Sequence, residues 1–106
     1  MIVHLLLLLT LQSPSKTIVA TLVDSQTGSP IAGATVALEG TTLKTKSDST
    51  GYFKLGPIPM DSCRLRIVHE DYVTAQPTVV LSSKRIIISF SLINKRHWIS
   101  RPVEKP

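Results

Sequence analysis

Residues 24–55 constrain the fold more than any other stretch of the chain. They read Asp24-Ser-Gln-Thr-Gly28-Ser-Pro30-Ile31-Ala-Gly33-Ala34-Thr-Val36-Ala-Leu38, and, after a polar interval, Thr45-Lys-Ser47-Asp48-Ser-Thr-Gly51-Tyr-Phe53-Lys-Leu55. Turn formers interlock here with apolar residues of period two. Thr27-Gly28 offers a left-handed position and Pro30 fixes φ. Asp48 can bond its own backbone, and Gly51 supplies a positive φ. Between these turns Ala34, Val36 and Leu38 point one way, and Phe53 and Leu55 return to the same side. A period of two belongs to strands.

The same pattern runs on both sides of this stretch. Ile18, Ala20 and Leu22 alternate with Val19, Thr21 and Val23, so both faces of that strand carry apolar or β-branched residues, as in a strand partly covered on its outer side. Thr45 and Ser47 fit an edge strand whose Lys44 and Lys46 face water. Gly56-Pro57-Ile58-Pro59 breaks the pattern. Cys63, Leu65 and Ile67 resume it, Glu70-Asp71 turns into Tyr72, and Pro77 marks an edge or a bulge. Ile86, Ile88, Phe90 and Leu92 share one face of the clearest strand. No 3.6-residue period persists. Short strands punctuated by Gly, Pro and Asp imply a β-sandwich of about seven strands. Its expected core is Ile18, Leu22, Val36, Leu38, Phe53, Leu55, Leu65, Ile67, Ile86, Ile88 and Phe90.

Three segments follow. Residues 1–15 contain an apolar run too short to cross a bilayer, which takes about 20 residues. The run suits the central part of a secretory signal peptide, with Ser13 and Ser15 as the small residues before a cut preceding Lys16. Residues 16–93 form the sandwich. Residues 94–106 lack periodicity, hold two prolines, and carry +3 of the net charge of +5, through Lys95, Arg96, Arg101 and Lys105 against Glu104. A basic tail on a near-neutral body, without a basic face or interleaved aromatics, is not a nucleic-acid footprint. The single cysteine, Cys63, excludes an intrachain disulfide; in a strand it reads as a small buried apolar residue.

The pattern Asp24…Thr27-Gly28-x-Pro30-Ile31-x-Gly33-Ala34-x-Val36…Ser47-Asp48-x-x-Gly51-x-Phe53-x-Leu55, with Asp71-Tyr72 after it, resembles the carboxypeptidase regulatory-like domain. The resemblance runs over residues 17–81. It implies an all-β, transthyretin-like (prealbumin-like), seven-stranded Greek-key sandwich and a non-catalytic accessory module. Such modules occur beside metallocarboxypeptidase domains, at the N-termini of TonB-dependent outer-membrane transporters, and in secreted or surface proteins.

The chemistry that the residues exclude agrees with a non-enzyme. His4, His69 and His97 are scattered, and neighbouring strand residues such as His69 and Glu70 face opposite ways, so no zinc-chelating pair forms. His69 reads as a surface residue. The chain lacks the Tyr-Arg-Gly-Ser ending of the hydroxyisourate hydrolases. It also lacks the acidic residue of isopeptide-forming adhesin domains, having Ile67 instead, so Lys16 and Asn94 are not expected to be cross-linked. A Gly-x-Ser-x-Gly elbow and Gly-rich phosphate loops are absent. Asp24 and Asp48 could meet at a calcium ion only with further oxygen ligands, since six to eight are usual. No catalytic, cofactor or metal residues are therefore expected. The residues placed at a partner or sugar contact are Tyr52, beside the Asp48–Gly51 turn on the face opposite Phe53, and Trp98 in the tail. The expected role is an exported accessory module, in the periplasm, at the surface or secreted, that binds a protein or glycan. The alternatives are a periplasmic N-terminal domain of a TonB-dependent transporter system, associated with the outer membrane, or a carbohydrate-binding module.

Overall fold

The computed structural model describes residues 15–96. The apolar run of residues 1–12, His97 and Trp98 lie outside them. Eight strands occur in order: β1 (Lys16–Asp24), β2 (Thr35–Leu38), β3 (Lys44–Lys46), β4 (Tyr52–Ile58), β5 (Ser62–His69), β6 (Tyr72–Ala75), β7 (Thr78–Val80) and β8 (Arg85–Leu92). They form two sheets. One has the order β4-β1-β8; the other has β3-β2-β5-β6, with β7 also pairing β5. β1 runs antiparallel to β4 and parallel to β8, in register from Thr17↔Arg85 to Asp24↔Leu92. All pairings in the second sheet are antiparallel.

The inner faces carry the alternation expected of them. Ile18, Ala20 and Leu22 of β1, Phe53 and Leu55 of β4, Val36 and Leu38 of β2, and Leu65 and Ile67 of β5 are buried. On the outer side Val19, Thr21 and Val23 are half-buried, because β4 and β8 flank β1 on both edges. Lys44 and Lys46 are exposed on the short strand β3.

Three features differ from the sequence reading. The count is eight strands instead of seven, because Gln76-Pro77 divides the stretch after Tyr72 into β6 and β7; a proline cannot donate to the ladder at that point. β4 does not end at Gly56-Pro57 but runs through it to bury Ile58, with a register shift opposite Lys16/Ile18 and a cis Gly56–Pro57 bond. Glycine is required there, since a Cβ on Gly56 would stand 2.9 Å from the Lys16 carbonyl oxygen. Finally, Ile86, Ile88 and Phe90 are only half-buried. β8 is the edge of the three-stranded sheet, and β6 of the second sheet adjoins it, bonding the chain just past its end. Ile31, Ala34, Ile58, Val79, Leu81 and Leu92 are buried in the core beyond the expected set.

Gly51 sits where the chain passes from the second sheet to the first. Its φ is +81°, and a Cβ would strike the Leu22 carbonyl oxygen. Gly28 has a similar φ, +78°, but open space around it. A left-handed non-glycine residue costs roughly 1–2 kcal/mol. Gly28→Ala is therefore expected to lose about 1 kcal/mol in urea unfolding, and Gly51→Ala distinctly more, because the backbone must also shift. Equal losses would show that the Leu22 contact carries no weight.

Candidate functional site

The polar residues of the signature stretch converge on the backbone. Ser47 is 5% exposed. Its hydroxyl donates to the Ile31 carbonyl at 2.7 Å and accepts from the Ala34 N–H at 3.0 Å. A serine so engaged has its one proton and a lone pair already placed, so it is a structural clasp. Asp48 Oδ1 accepts from the Thr50 N–H, the Thr50 hydroxyl and the Tyr52 N–H, at 2.9, 2.7 and 3.0 Å. These bonds, the Thr50 hydroxyl first, hold its carboxyl below the usual carboxylate range.

A second polar cluster closes the end of the sandwich where β1 and β8 finish. Asp24 Oδ1 accepts from the Gln26 and Thr27 N–H groups, and Oδ2 accepts from the Tyr72 hydroxyl at 2.8 Å. Burial, then the bond to Asp24, pushes the Tyr72 phenol up. Asn94 bonds the same phenol and forms a bridge with Tyr72. The Val73 N–H of β6 donates to the Ile93 carbonyl, and the Lys95 N–H donates to the carbonyl of Asp71 in the turn before β6. His69 is not a stray surface residue, contrary to the expectation. The Asp71 N–H donates to Nδ1 at 3.0 Å, so the proton is on Nε2, which reaches the Ala32 carbonyl at 3.1 Å. The ring also meets Tyr72 edge-on, with centroids 5.3 Å apart. It pins the 31–33 loop to the β5–β6 turn, and two residues of spacing gave no hint of that. Asp24 serves its own turn and Tyr72, Asp48 serves its own turn, and no group of three metal-ligating side chains occurs among the described residues.

Two hollows adjoin these ends. One of about 330 Å³ is lined by Glu70, Asp71, Asn94, Lys95 and Arg96, with both signs of charge. The other, about 420 Å³ at the opposite end, has an apolar lining that includes Leu38, Leu43, Pro57, Pro59 and Met60. Cys63 is buried, and burial pushes its thiol up, away from the reactive thiolate.

The outer face of the β4-β1-β8 sheet is different in kind. Register places Tyr52 beside Thr21 and then Ser89, and Lys54 beside Val19 and then Ile87. Tyr52 is 38% exposed and Ile87 76%. An aromatic ring, aliphatic side chains, hydroxyls and the cations of Lys54 and Arg85 thus share a sheet face with solvent. Tyr52 is on the side opposite Phe53, as its place in the alternation required. Ile87 belongs to the same surface, and the strand pattern of residues 85–92, with even positions inward, was the signal that could have found it.

Residues 17–91 match the family model described as the carboxypeptidase regulatory-like domain. No curated protein matches the chain in sequence. Among solved structures it is similar to a chain of a type II cohesin–X-dockerin complex from Acetivibrio cellulolyticus, with 24% identity and a TM-score of 0.61 over 73% of this chain and 56% of that one. It is similar to a putative carbohydrate binding protein from Bacteroides uniformis, with 18% identity and a TM-score of 0.60 over 77% of this chain and 43% of that one. It also resembles the 5-hydroxyisourate hydrolase of Klebsiella pneumoniae, with 21% identity and a TM-score of 0.57 over 74% of this chain and 90% of that one. The chain spans little more than half the length of the first of these. At such identities the likeness is one of fold.

Because the Asp48 carboxylate is held low in the folded state, its contribution is present above the unfolded value, about pH 4, and is lost as pH falls through the lowered folded value. Asp48→Ala is therefore expected to be less stable than the native chain at pH 7, with the gap narrowing below about pH 4. Thermal unfolding across pH measures this. A gap that is the same at pH 7 and pH 2.5 (about the acid end of the carboxylate range) would refute a role for the charged form.

Proposed function

The chain belongs to the carboxypeptidase regulatory-like domain family, and from that premise we propose that it is a non-catalytic, exported module that binds a partner through the outer face of its three-stranded sheet. One observation carries this reading. The polar side chains with chemical potential, Ser47, Asp48, His69 and Tyr72, are engaged in holding loops, while Tyr52, Val19 and Ile87 stand together on an open face. A tyrosine that shows its ring to water and lies beside aliphatic neighbours supplies contact area at low entropic cost. A flat face of this kind suits a protein surface or the apolar face of a sugar ring. The apolar hollow at Leu43 and Met60 is a separate surface, lined by Lys44 as well.

Export is supported by the match between the leader and the fold. A cut before Lys16 falls at the first residue of β1 and leaves every strand among the described residues whole. The Lys16 side chain, 2.6 Å from Asp61, would remain in place.

Two readouts test the proposal. Backbone amide NMR spectra of labelled protein, titrated with a glycan panel, are expected to shift at Tyr52, Val19 and Ile87 if the partner is a sugar. A photo-crosslinker at Tyr52 is expected to capture a protein partner in the other case, and Tyr52→Ala should abolish whichever signal is seen. N-terminal sequencing of the exported protein is expected to begin at Lys16. Shifts confined to the two hollows, or an intact Met1 on cytoplasmic protein, would contradict the binding face and the export respectively.

A further inference from the structure

The free edge of β8 stands apart from the other strand edges. Thr17 N–H donates to the Lys84 carbonyl at 2.8 Å and Ser25 N–H to the Leu92 carbonyl at 2.9 Å. In a parallel ladder, alternate residues turn both backbone groups to the neighbour. The even-numbered residues of β8 therefore face β1, and Arg85, Ile87, Ser89 and Ser91 turn their N–H and C=O groups away. Among the described residues no strand takes up those groups.

Exposed edges invite pairing, and this fold blunts its others. β3 is three residues long and carries Lys44 and Lys46. β4 carries Lys54 and Pro57. β6 and β7 are short and separated by Gln76-Pro77. β8 is eight residues long, its outward positions hold one charge, Arg85, at the first residue, and Ile87 is 76% exposed. On its inner side Ile86, Ile88 and Phe90 pack on the core but are only half covered.

We propose that β8 pairs antiparallel, about a two-fold axis at Ile88, with β8 of a second copy of the chain, so that two three-stranded sheets become one continuous sheet. The pattern of this strand favours a copy of itself. Pairing centred on Ile88 sets Arg85 opposite Ser91 and Ile87 opposite Ser89, and these are the residues whose backbone groups turn outward, the Arg85 carbonyl also accepting from the Ser83 hydroxyl at 3.0 Å. The intervening pairs, Ile86 with Phe90 and Ile88 with Ile88, are the close non-hydrogen-bonded ones, in which side chains approach best. Each copy thus supplies the cover that the half-buried inner residues of the other lack. Charge disposition agrees. The two Arg85 side chains lie about 20 Å apart along the ladder, whereas parallel pairing would set one directly against the other. The two-fold makes the interface closed, so it ends at a dimer and does not propagate. It uses the strand edge and is independent of what the outer sheet face binds.

Sedimentation equilibrium of the full chain, with amide hydrogen exchange across the same concentrations, tests it. A monomer–dimer equilibrium is expected, with Ile87, Ser89 and Ser91 amides slow in the dimer and fast on dilution. Ser89→Pro removes one outward N–H and leaves the β1 ladder intact, since proline is tolerated on an edge. It is expected to raise the dissociation constant about tenfold or more. A monomer with those amides fast at every concentration overturns the proposal. Slow exchange at every concentration, which would mean another segment of the same chain covers the edge, also overturns it. So does a dimer that leaves those amides fast. The exchange readout on the native chain decides the matter even if Ser89→Pro does not fold.

Discussion

The sandwich depends on one hydrogen-bonded junction between its sheets. Leu22 of β1 donates to the Gly51 carbonyl at 2.8 Å and accepts from the Ile31 N–H at 3.0 Å. The Ile31 carbonyl in turn takes the Ser47 hydroxyl, and the Ser47 backbone exchanges bonds with Gly33 and Ala34, each at 2.9 Å. The first sheet enters this junction through Leu22 and Gly51, the second through Ser47. Apart from this junction and the bonds that Ile93 and Lys95 make beside β6, the sheets touch through side chains, which have no directional preference of comparable sharpness. Leaving such buried backbone groups unpaired would cost about 1–3 kcal/mol each. The junction therefore fixes where one sheet sits on the other, and Ile31, Ala34, Phe53 and Leu22 fill the space it defines.

This is why the stretch 24–55 was so legible. Its turn residues have local causes: a positive φ at Gly51, an Asx turn at Asp48, a capped turn at Asp24. Local causes can be read from neighbouring residues. The inward alternation of β1, β2, β4 and β5 could be read for the same reason, since a period of two is a local property. What escaped has causes far away in the chain. The half-burial of Ile86, Ile88 and Phe90 follows from β8 lying at a sheet edge, which strand order decides. The role of His69 depends on Ala32, 37 residues earlier. The bonding of Ser47 to Ile31, 16 residues earlier, was hidden behind a reading of that serine as an ordinary edge position. The face holding Tyr52 was legible, but its extent needed the register across β1 that joins Tyr52 and Lys54 to Ser89 and Ile87.

The division of labour among residues bears on function. Polar side chains that would suggest chemistry in isolation are tied to loops, and the surfaces left for contact are backbone edge and sheet face. The outer face at Tyr52 and the edge at β8 adjoin but present different groups, rings and methyls in one case and N–H and C=O in the other. A strand paired along β8 would widen the sheet face beside it without covering Tyr52, which lies two strands away.

Native-state amide exchange tests most directly whether the junction, and not packing alone, ties the sheets together. Ile31 and Ala34 lie outside every strand, where amides ordinarily exchange through local opening. If the junction holds the fold, their amides exchange only with global unfolding, as slowly as that of Leu65 in the centre of β5. Exchange at Ile31 and Ala34 at the rate of the loop residues around them, with Leu65 still protected, would contradict it.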